Sequence, residues 1–440
     1  MGEKVKTRMR NYKNDIDTNS DIIVAGDTTF KTNQTKEIIS KNIKKTIQGG
    51  GFSIVNLEAP LQIGSSVPKP GPVISTRDGT AEIISSIGFN GVNLANNHSM
   101  DYGYEALQET VSECHSAGLE TVGVGDNEEA ATTPLVVEID GKSIALFGGT
   151  QRELEVAQPE HPGPAWIQSR RLLARITEAA SAHDFVFVIA HGGIEYVPIP
   201  PPCWQQRLHS FAEAGADVVV GHHPHVTQGW EQSDGKLIIY SLGNFVFDSS
   251  GGPGSECGAI AHFDLCADGT VDWNLTLTRQ LDDQVIIDTE EKAEEHTNYL
   301  AKSGDLIKHL PQQPGYWQII ADQLYREKYS SSIMDFGTGR ICGLIENPVT
   351  ELDRITRGVV GDRERRVEQE RQLAVYMQGE PHKEIIRIGS GLNSGTIPDY
   401  RDRVNTTEVE ELLAWTGGGD NESRIDRTSR YIRIALNRLL

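Results

Sequence analysis

Three histidines fall within four positions at the end of an apolar run. The stretch DVVVGHHPHVTQ, residues 217–228, carries His222, His223 and His225. Valines 218 to 220 read as a buried strand, Gly221 lets the chain turn and Pro224 stiffens the segment so that neighbouring imidazoles can converge. A surface loop that is merely histidine-rich is the bland alternative, but 13 histidines in 440 residues do not cluster like this by composition. Four further strand tips carry groups of the same kind. Asp27 follows the run DIIVAG, Glu58 follows FSIVNL, Asn97, His98 and Asp101 lie in GVNLANNHSMDYG, and His191 closes FVFVIAH.

Each tip alone is unspecific, since an aspartate or histidine there is as often a cap or a satisfied buried side chain. Together they hold carboxylates, an amide oxygen and several imidazoles. Two divalent cations about 3.5 to 4 Å apart need such a set, with one carboxylate between them. The tips bearing Asp27, Glu58, Asn97 with His98, His191, and His223 with His225 supply all three types. Zn, Mn and Fe suit these mixed ligands about equally. The chemistry would be hydrolysis or group transfer, with His98 as general acid and Asp101 either orienting its ring or capping the next helix. Glu195 would bind a substrate amine, support an imidazole or face solvent. Lys69, Arg77 and Arg152 are candidates for an anionic substrate group, and Asn244, after another strand tip, is either a supporting or a turn residue.

The elements that must position these groups alternate. Strands are expected at 21–25, 52–57, 93–95, 120–124, 134–139, 143–148, 185–190, 218–220 and 237–241, with a strand at 258–265 closing the sheet. Helices are expected at 35–48, 80–87, 104–117, 168–182 and 203–214. In open α/β sheets, ligands bind at the carboxyl ends of the strands. Residues 1–20 read as a disordered tail and 21–285 as the strand-rich domain. From 286 to 440 the chain reads as mainly helical, with helices at 289–310, 314–328, 361–377, 407–414 and 422–439 and no ligand-like constellation.

Hydrophobic residues at 38% and charged residues at 23% suit a soluble globular chain. A net charge of −21 argues against nucleic acid or an anionic membrane surface as partner. No run of about 18 apolar residues occurs to insert into a membrane. The five cysteines, scattered and odd in number, favour free thiols in a reducing cytoplasm.

The ordered motifs GD, NLE, LANNHxxDYG, HGGxEY, GADVVVGHHPHVTQ and YSLGNFVF resemble the CapA family of capsule and poly-γ-glutamate biosynthesis proteins. That family is itself similar to calcineurin-like metallophosphoesterases. The resemblance covers about residues 20–265. It implies an α/β fold, a four-layer α/β/β/α sandwich with a two-metal site at the strand ends, followed here by the C-terminal helical region. By matching motifs it implies Asp27, Glu58 at the bridging position, Asn97, His191, His223 and His225 as the metal ligands, with His222 the spare and the register within GHHPH open by one position. Two departures stand out. The usual Asp-x-His becomes Asp27-Thr28-Thr29, and the bridging position carries the longer Glu58 instead of aspartate; both are expected within the CapA pattern, whereas Gly193 stands where a tryptophan commonly lies there, which is expected to loosen one pocket wall. The implied function is metal-dependent biosynthesis or processing of a capsular polymer such as poly-γ-glutamate. Alternatives are a phosphatase, phosphodiesterase or nucleotidase acting on small phosphoesters, and a non-catalytic metal-stabilised component of a polymer synthase complex. An anionic polymer or phosphoester would be the substrate, and biosynthetic partners or a second copy of the chain the company.

Overall fold

The computed structural model describes residues 7–9, 20–30, 36–69, 71–247, 253–281, 284–329 and 379–416. In chain order the elements are β1 (Thr7–Met9), β2 (Ile22–Thr28), α1 (Lys41–Gln48), β3 (Phe52–Leu57), α2 (Thr80–Ile87), β4 (Gly91–Asn93), α3 (Gly103–Ser116), β5 (Glu120–Val122), β6 (Val124–Gly125), α4 (Glu128–Ala131), β7 (Leu135–Ile139) and β8 (Lys142–Thr150). There follow β9 (Gly163–Pro164), α5 (Arg170–Ala182), β10 (Phe185–His191), α6 (Pro202–Ala214), β11 (Val218–His222), β12 (Thr227–Ser233), β13 (Lys236–Leu242), β14 (Asn244–Val246), β15 (Cys257–Leu265), β16 (Val271–Leu281) and β17 (Gln284–Ile287). The described chain ends in α7 (Glu290–His309), α8 (Gly315–Leu324), α9 (Glu380–Ser394) and α10 (Thr406–Trp415).

Two sheets carry the fold. One runs β1-β16-β15-β2-β3-β4-β5, with β14 beside β2 and β17 beside β16; the other runs β12-β13-β11-β10-β8-β7. Their central strands, β2 with β3 and β8 with β10 and β11, are parallel and apolar on both faces. Such strands must be covered on both sides. Ile22, Val24 and Ile54 of the first sheet meet Val186, Val188 and Ile239 of the second in one core, where Phe187 and Phe263 pack edge to face at 5.3 Å. Helices α1, α2 and α3 cover the outer face of the first sheet through Ile43, Ile47, Ile84 and Cys114. Helices α5 and α6 cover the second through Leu172, Ile176, Leu208 and Phe211. This is the four-layer α/β/β/α sandwich.

The strand at 257–265 does not close its sheet. β16 lies beside it antiparallel, and Val271 to Leu277 alternate buried and half-buried, a period of two that packing between sheets requires. The expected strand at 120–124 is broken at Gly123, whose φ of 86° turns the chain from β5 into β6. β12 and α9 were not expected from the sequence. The disordered tail expected over residues 1–20 lies outside the described residues apart from Ser20 and β1, which pairs with Val271–Trp273. The helices expected at 361–377 and 422–439 also lie outside them.

Helices α7 to α10 have no core of their own among the described residues. Tyr299, Leu300, Ile307, Trp317, Ile320, Ile385 and Leu412 belong to the same apolar cluster as the sheets. Helix α7 sits directly on β12. Tyr299 Oη donates to the Thr227 carbonyl at 2.7 Å, Ser303 Oγ accepts from the Gly229 amide at 2.9 Å, and Gly229 meets Gly304 so closely that a Cβ on Gly229 would stand 2.4 Å from Gly304 Cα. Gly229→Ala is therefore expected to lower stability by roughly 1–3 kcal/mol, as overpacking does. Urea denaturation checks it, and an unchanged midpoint would show that α7 is not seated on this strand.

Candidate metal centre

Parallel register aligns the strand tips. Asp27 pairs with Asn56 after a register shift beyond Ala25, His191 pairs with His222 on one side and Thr150 on the other, and Asn244 pairs with Asp27. Gly26 is needed for this convergence, because a Cβ there would stand 2.1 Å from the Gly243 carbonyl oxygen. The loop after β4 is tied back to β3, with Asn96 Nδ2 donating to the Leu57 carbonyl at 2.7 Å and Asn96 Oδ1 accepting from the His98 amide at 3.2 Å.

Asp27, Glu58, Asn97, His98, Asp101, His191, His223 and His225 thereby meet, all buried. Two groups of ligand atoms lie within 4.8 Å of one another: Asp27, Glu58 and His191, and Glu58, His223 and His225. Glu58 is common to both. Its Oε1 lies 3.5 Å from His191 Nε2, 3.7 Å from His225 Nε2 and 4.0 Å from His98 Nε2. Asn97 Oδ1 lies 2.9 Å from His191 Nε2. His222, the expected spare, ends β11 with its Nδ1 3.2 Å from Asp27 Oδ1.

The two carboxylates have opposite surroundings. Burial alone would raise Asp27, but the hydrogen bond and charge of His222, together with His191 and His225, hold it well below the usual carboxylate range. Asn56 Nδ2 at 2.8 Å and the His223 amide at 3.0 Å also donate to it. Neither oxygen of Glu58 has a hydrogen-bond partner among the described residues. Burial, and then the charges of Asp27, Glu195 and Glu153, push its carboxyl well above its ordinary value. A buried carboxylate without donors is costly, and a divalent cation supplies the missing positive charge. Burial, then His223, also holds His191 well below its usual range, in the neutral form that binds metal. By its donor types and this orphaned carboxylate, the cluster fits a metal ion.

Supporting groups fix the rings. Asn244 Nδ2 donates to the Ser255 carbonyl at 2.9 Å, so its Oδ1 faces His225 Nδ1 at 3.0 Å and leaves His225 Nε2 toward Glu58. Phe247 packs 4.5 Å from the His225 ring. His98 Nδ1 bonds Asp101 Oδ2 at 2.8 Å, and the Ile74 amide donates to the same oxygen at 2.8 Å. Asp101 thus contacts the ring, and helix α3 is preceded by Tyr102 with no side-chain cap. Burial, then Lys69, lowers His98 against the pull of Asp101.

The three basic candidates separate. Lys69 is buried against Asp101 and lies 2.9 Å from His98 Nδ1. Arg77 Nε donates to the Asp78 carbonyl at 3.2 Å. Arg152 has a buried Nε with no hydrogen-bond partner among the described residues. Glu195 lies close enough for its charge to raise Glu58. The loosened wall expected at Gly193 is not there. Trp204 from α6 fills the space, its ring atoms 3.7 Å from where a Gly193 Cβ would stand.

Four supporting residues gave no usable signal in the sequence. Asn56 joins Asp27 to His191, and Asn93 Nδ2 orders Asn56 at 2.8 Å. Gln151 lies 3.3 Å from His223 Nε2, and Glu153 accepts from Asn97 Nδ2 at 3.0 Å. Against burial, the charges of His223 and His382 and the bonds from Asn97 and Gln151 pull Glu153 down to about 2. The two asparagines do lie on strand ends, but Gln151 and Glu153 follow β8, whose tip carries no metal-type residue.

Comparison with known proteins completes the picture. The family model "Bacterial capsule synthesis protein PGA_cap" matches residues 9–249. "Capsule biosynthesis protein CapA" of Bacillus anthracis is 34% identical over 203 residues, 45% of this chain and 49% of that one. "PGA biosynthesis protein CapA" of Bacillus subtilis is 28% identical over 284 residues, 62% and 74% of the two chains. A "Probable polyglutamine synthesis accessory protein" of Mycobacterium tuberculosis is 28% identical over 177 residues, 37% and 46%. The chain thus spans about half the length of the first and third of these relatives. Among solved structures, a hypothetical protein from Thermus thermophilus aligns with 13% identity and a TM-score of 0.39, over 59% of this chain and 99% of that one. A 5'-nucleotidase from Candida albicans aligns with 14% identity and a TM-score of 0.34, over 69% and 58%. The matched span holds every residue of the buried cluster and more than half of the sequence, and the chain belongs to the bacterial capsule synthesis protein PGA_cap family.

Proposed function

We propose that this chain is a metal-dependent protein acting in biosynthesis or processing of a capsular polymer such as poly-γ-glutamate, through a two-metal hydrolase or transfer site. One observation carries the reading: the buried, unpartnered Glu58 is shared by two groups of ligand atoms. Asp27, Glu58, Asn97, His191, His223 and His225 would hold the ions. Two divalent cations there would supply Lewis-acid activation of water and of a phosphoryl or carbonyl oxygen.

The chain's own groups supply the proton chemistry. With Nδ1 bonded to Asp101, His98 turns Nε2 toward Glu58 and the cluster, where its imidazolium form, protonated at both ring nitrogens, would hand the Nε2 proton to a leaving group as general acid. Asp101 and Lys69 keep the ring in that orientation, and Lys69 is used for this rather than for substrate. Family membership supports the polymer context, which the names of the CapA relatives share. Polymer, small phosphoester and purely structural uses of the metal differ in what His98 should do.

Two outcomes are expected. Metal-stripped wild-type protein should gain about 2.7 kcal/mol of stability at Mn²⁺ one hundred times its Kd, and Glu58→Gln should gain little. In chelator Glu58→Gln should be at least as stable as wild type, since a raised carboxyl loses its stabilising protonated form as pH rises through its folded pKa. The advantage of the variant therefore grows with pH. Thermal unfolding with and without Mn²⁺ across a pH series reads both, and equal Mn²⁺ stabilisation of the two proteins would sink the shared-carboxylate reading. Separately, His98→Ala should lower turnover of γ-glutamyl amides or phosphodiesters by roughly 10²–10⁴-fold while metal content stays unchanged. Turnover at the wild-type rate would remove His98 from the chemistry, and no turnover by wild type on either substrate class would favour a metal that only stabilises the protein.

A further inference from the structure

An asparagine ligand can face a cation with its oxygen or its amide nitrogen, which are alike in shape and opposite in effect. Only the oxygen binds metal; an N–H₂ turned inward would repel it. What decides the orientation of Asn97 is therefore a functional question, and the answer lies outside the ligand set.

Asn97 Nδ2 is 3.0 Å from Glu153 Oε2. The amide nitrogen donates to that carboxylate oxygen, so the nitrogen lies on the Glu153 side. The carbonyl oxygen is left 2.9 Å from His191 Nε2, facing the group around Glu58. The same carboxylate orders a second amide. Gln151 Nε2 donates to Glu153 Oε1 at 2.8 Å, so Gln151 Oε1 turns to accept from the Gly193 amide at 2.9 Å, two residues beyond His191. Glu153 Oε1 also lies 3.7 Å from His223 Nε2. One side chain therefore orders the asparagine directly and, through Gln151, the backbone after His191.

We propose that Glu153 is a positioning residue that locks the Asn97 carbonyl oxygen toward the His191–Glu58 group and so makes Asn97 a cation ligand. This rests on the two-metal reading above. Glu153→Gln keeps the size of the side chain but can offer Asn97 a donor, which lets the Asn97 amide turn over.

The test is calorimetric titration of metal-stripped protein with Mn²⁺ alone, on wild type, Glu153→Gln, Asn97→Ala and the double variant, with thermal unfolding of each in chelator. Glu153→Gln should weaken one binding step by roughly 10- to 100-fold and leave the other step and the unfolding temperature in chelator unchanged. In the Asn97→Ala background the same change should cost nothing further, because the group it positions is gone. Should Glu153→Gln unfold early, Glu153→Ala at low temperature replaces it, with the same expectation. Wild-type affinity in the variant, or an equal loss with and without Asn97, would overturn the proposal while leaving the metal site standing. If wild type binds no Mn²⁺, both readings fall together.

Discussion

The buried carboxylate of Glu58 sets the terms for the rest of the structure. It stands where the tips of two sheets meet, without a donor to either oxygen among the described residues. Asp27, almost as deep, has two N–H donors and three imidazoles around it. The difference is local supply. β3 brings Asn56 and the turn after β11 brings the His223 amide to Asp27, whereas Glu58 reaches past the end of β3 to a place where Asp27, His191, His223 and His225 stand near it. The imidazole nitrogens nearest to it stand 3.5 to 4.0 Å away, beyond hydrogen-bond distance. Protonation of Glu58 or a bound cation compensates its charge, and the surrounding donor types favour the cation.

Holding that arrangement strains the backbone. His223 has φ of 96° and His225 of 56°, left-handed conformations that cost a non-glycine residue of order 1–3 kcal/mol each. Glycine would relax either position but remove the ring. The segment from Val218 to Leu242 keeps both because its flanks are over-determined: β11 lies between two parallel partners, and β12 returns antiparallel along β13. Pro224 between the two strained residues narrows the alternatives further, and its carbonyl accepts from the Tyr196 amide at 2.8 Å. Rings and backbone are thus bent toward one point by the sheet rather than by the loop itself.

Much of this was legible because each ligand ends an apolar run. A buried parallel strand shows as consecutive β-branched and aromatic residues, and the first polar residue after it is a strand tip, as with Asp27, Glu58 and His191. The register within GHHPH was not legible. His222 is still in the strand and faces Asp27, while the turn after it sends His223 and His225 to Glu58, a difference made by φ values rather than composition. Lys69 read as a free cation because pairing across 32 residues leaves no local trace. Trp204 filling the space beside Gly193 was hidden for the same reason, and β16 was missed because its alternation, VDWNLTL, is polar enough to resemble a loop. Glu153 sits on an irregular segment, where no periodicity predicts which way a side chain points.

The cluster also depends on residues beyond the stretch that matches the family model. β2, which carries Asp27, is held antiparallel on one edge by β15, and β16 pairs β15 in turn. Helix α7 then anchors β12 from outside. His296 Nε2 lies 2.8 Å from Thr227 Oγ1, its Nδ1 faces Asp288 at 3.4 Å, and Asp288 is bonded by Arg279 of β16 at 2.9 Å. Thr227 follows His225 by two positions and pairs with Leu242, two before Asn244, which orients the His225 ring. A chain of buried polar contacts therefore runs from β16 through α7 to the turn that presents the histidines. Cutting it would free that turn first, because strained backbone relaxes wherever its support is lost. The helical region is in this sense part of the architecture of the site, although it contributes none of the six expected ligands.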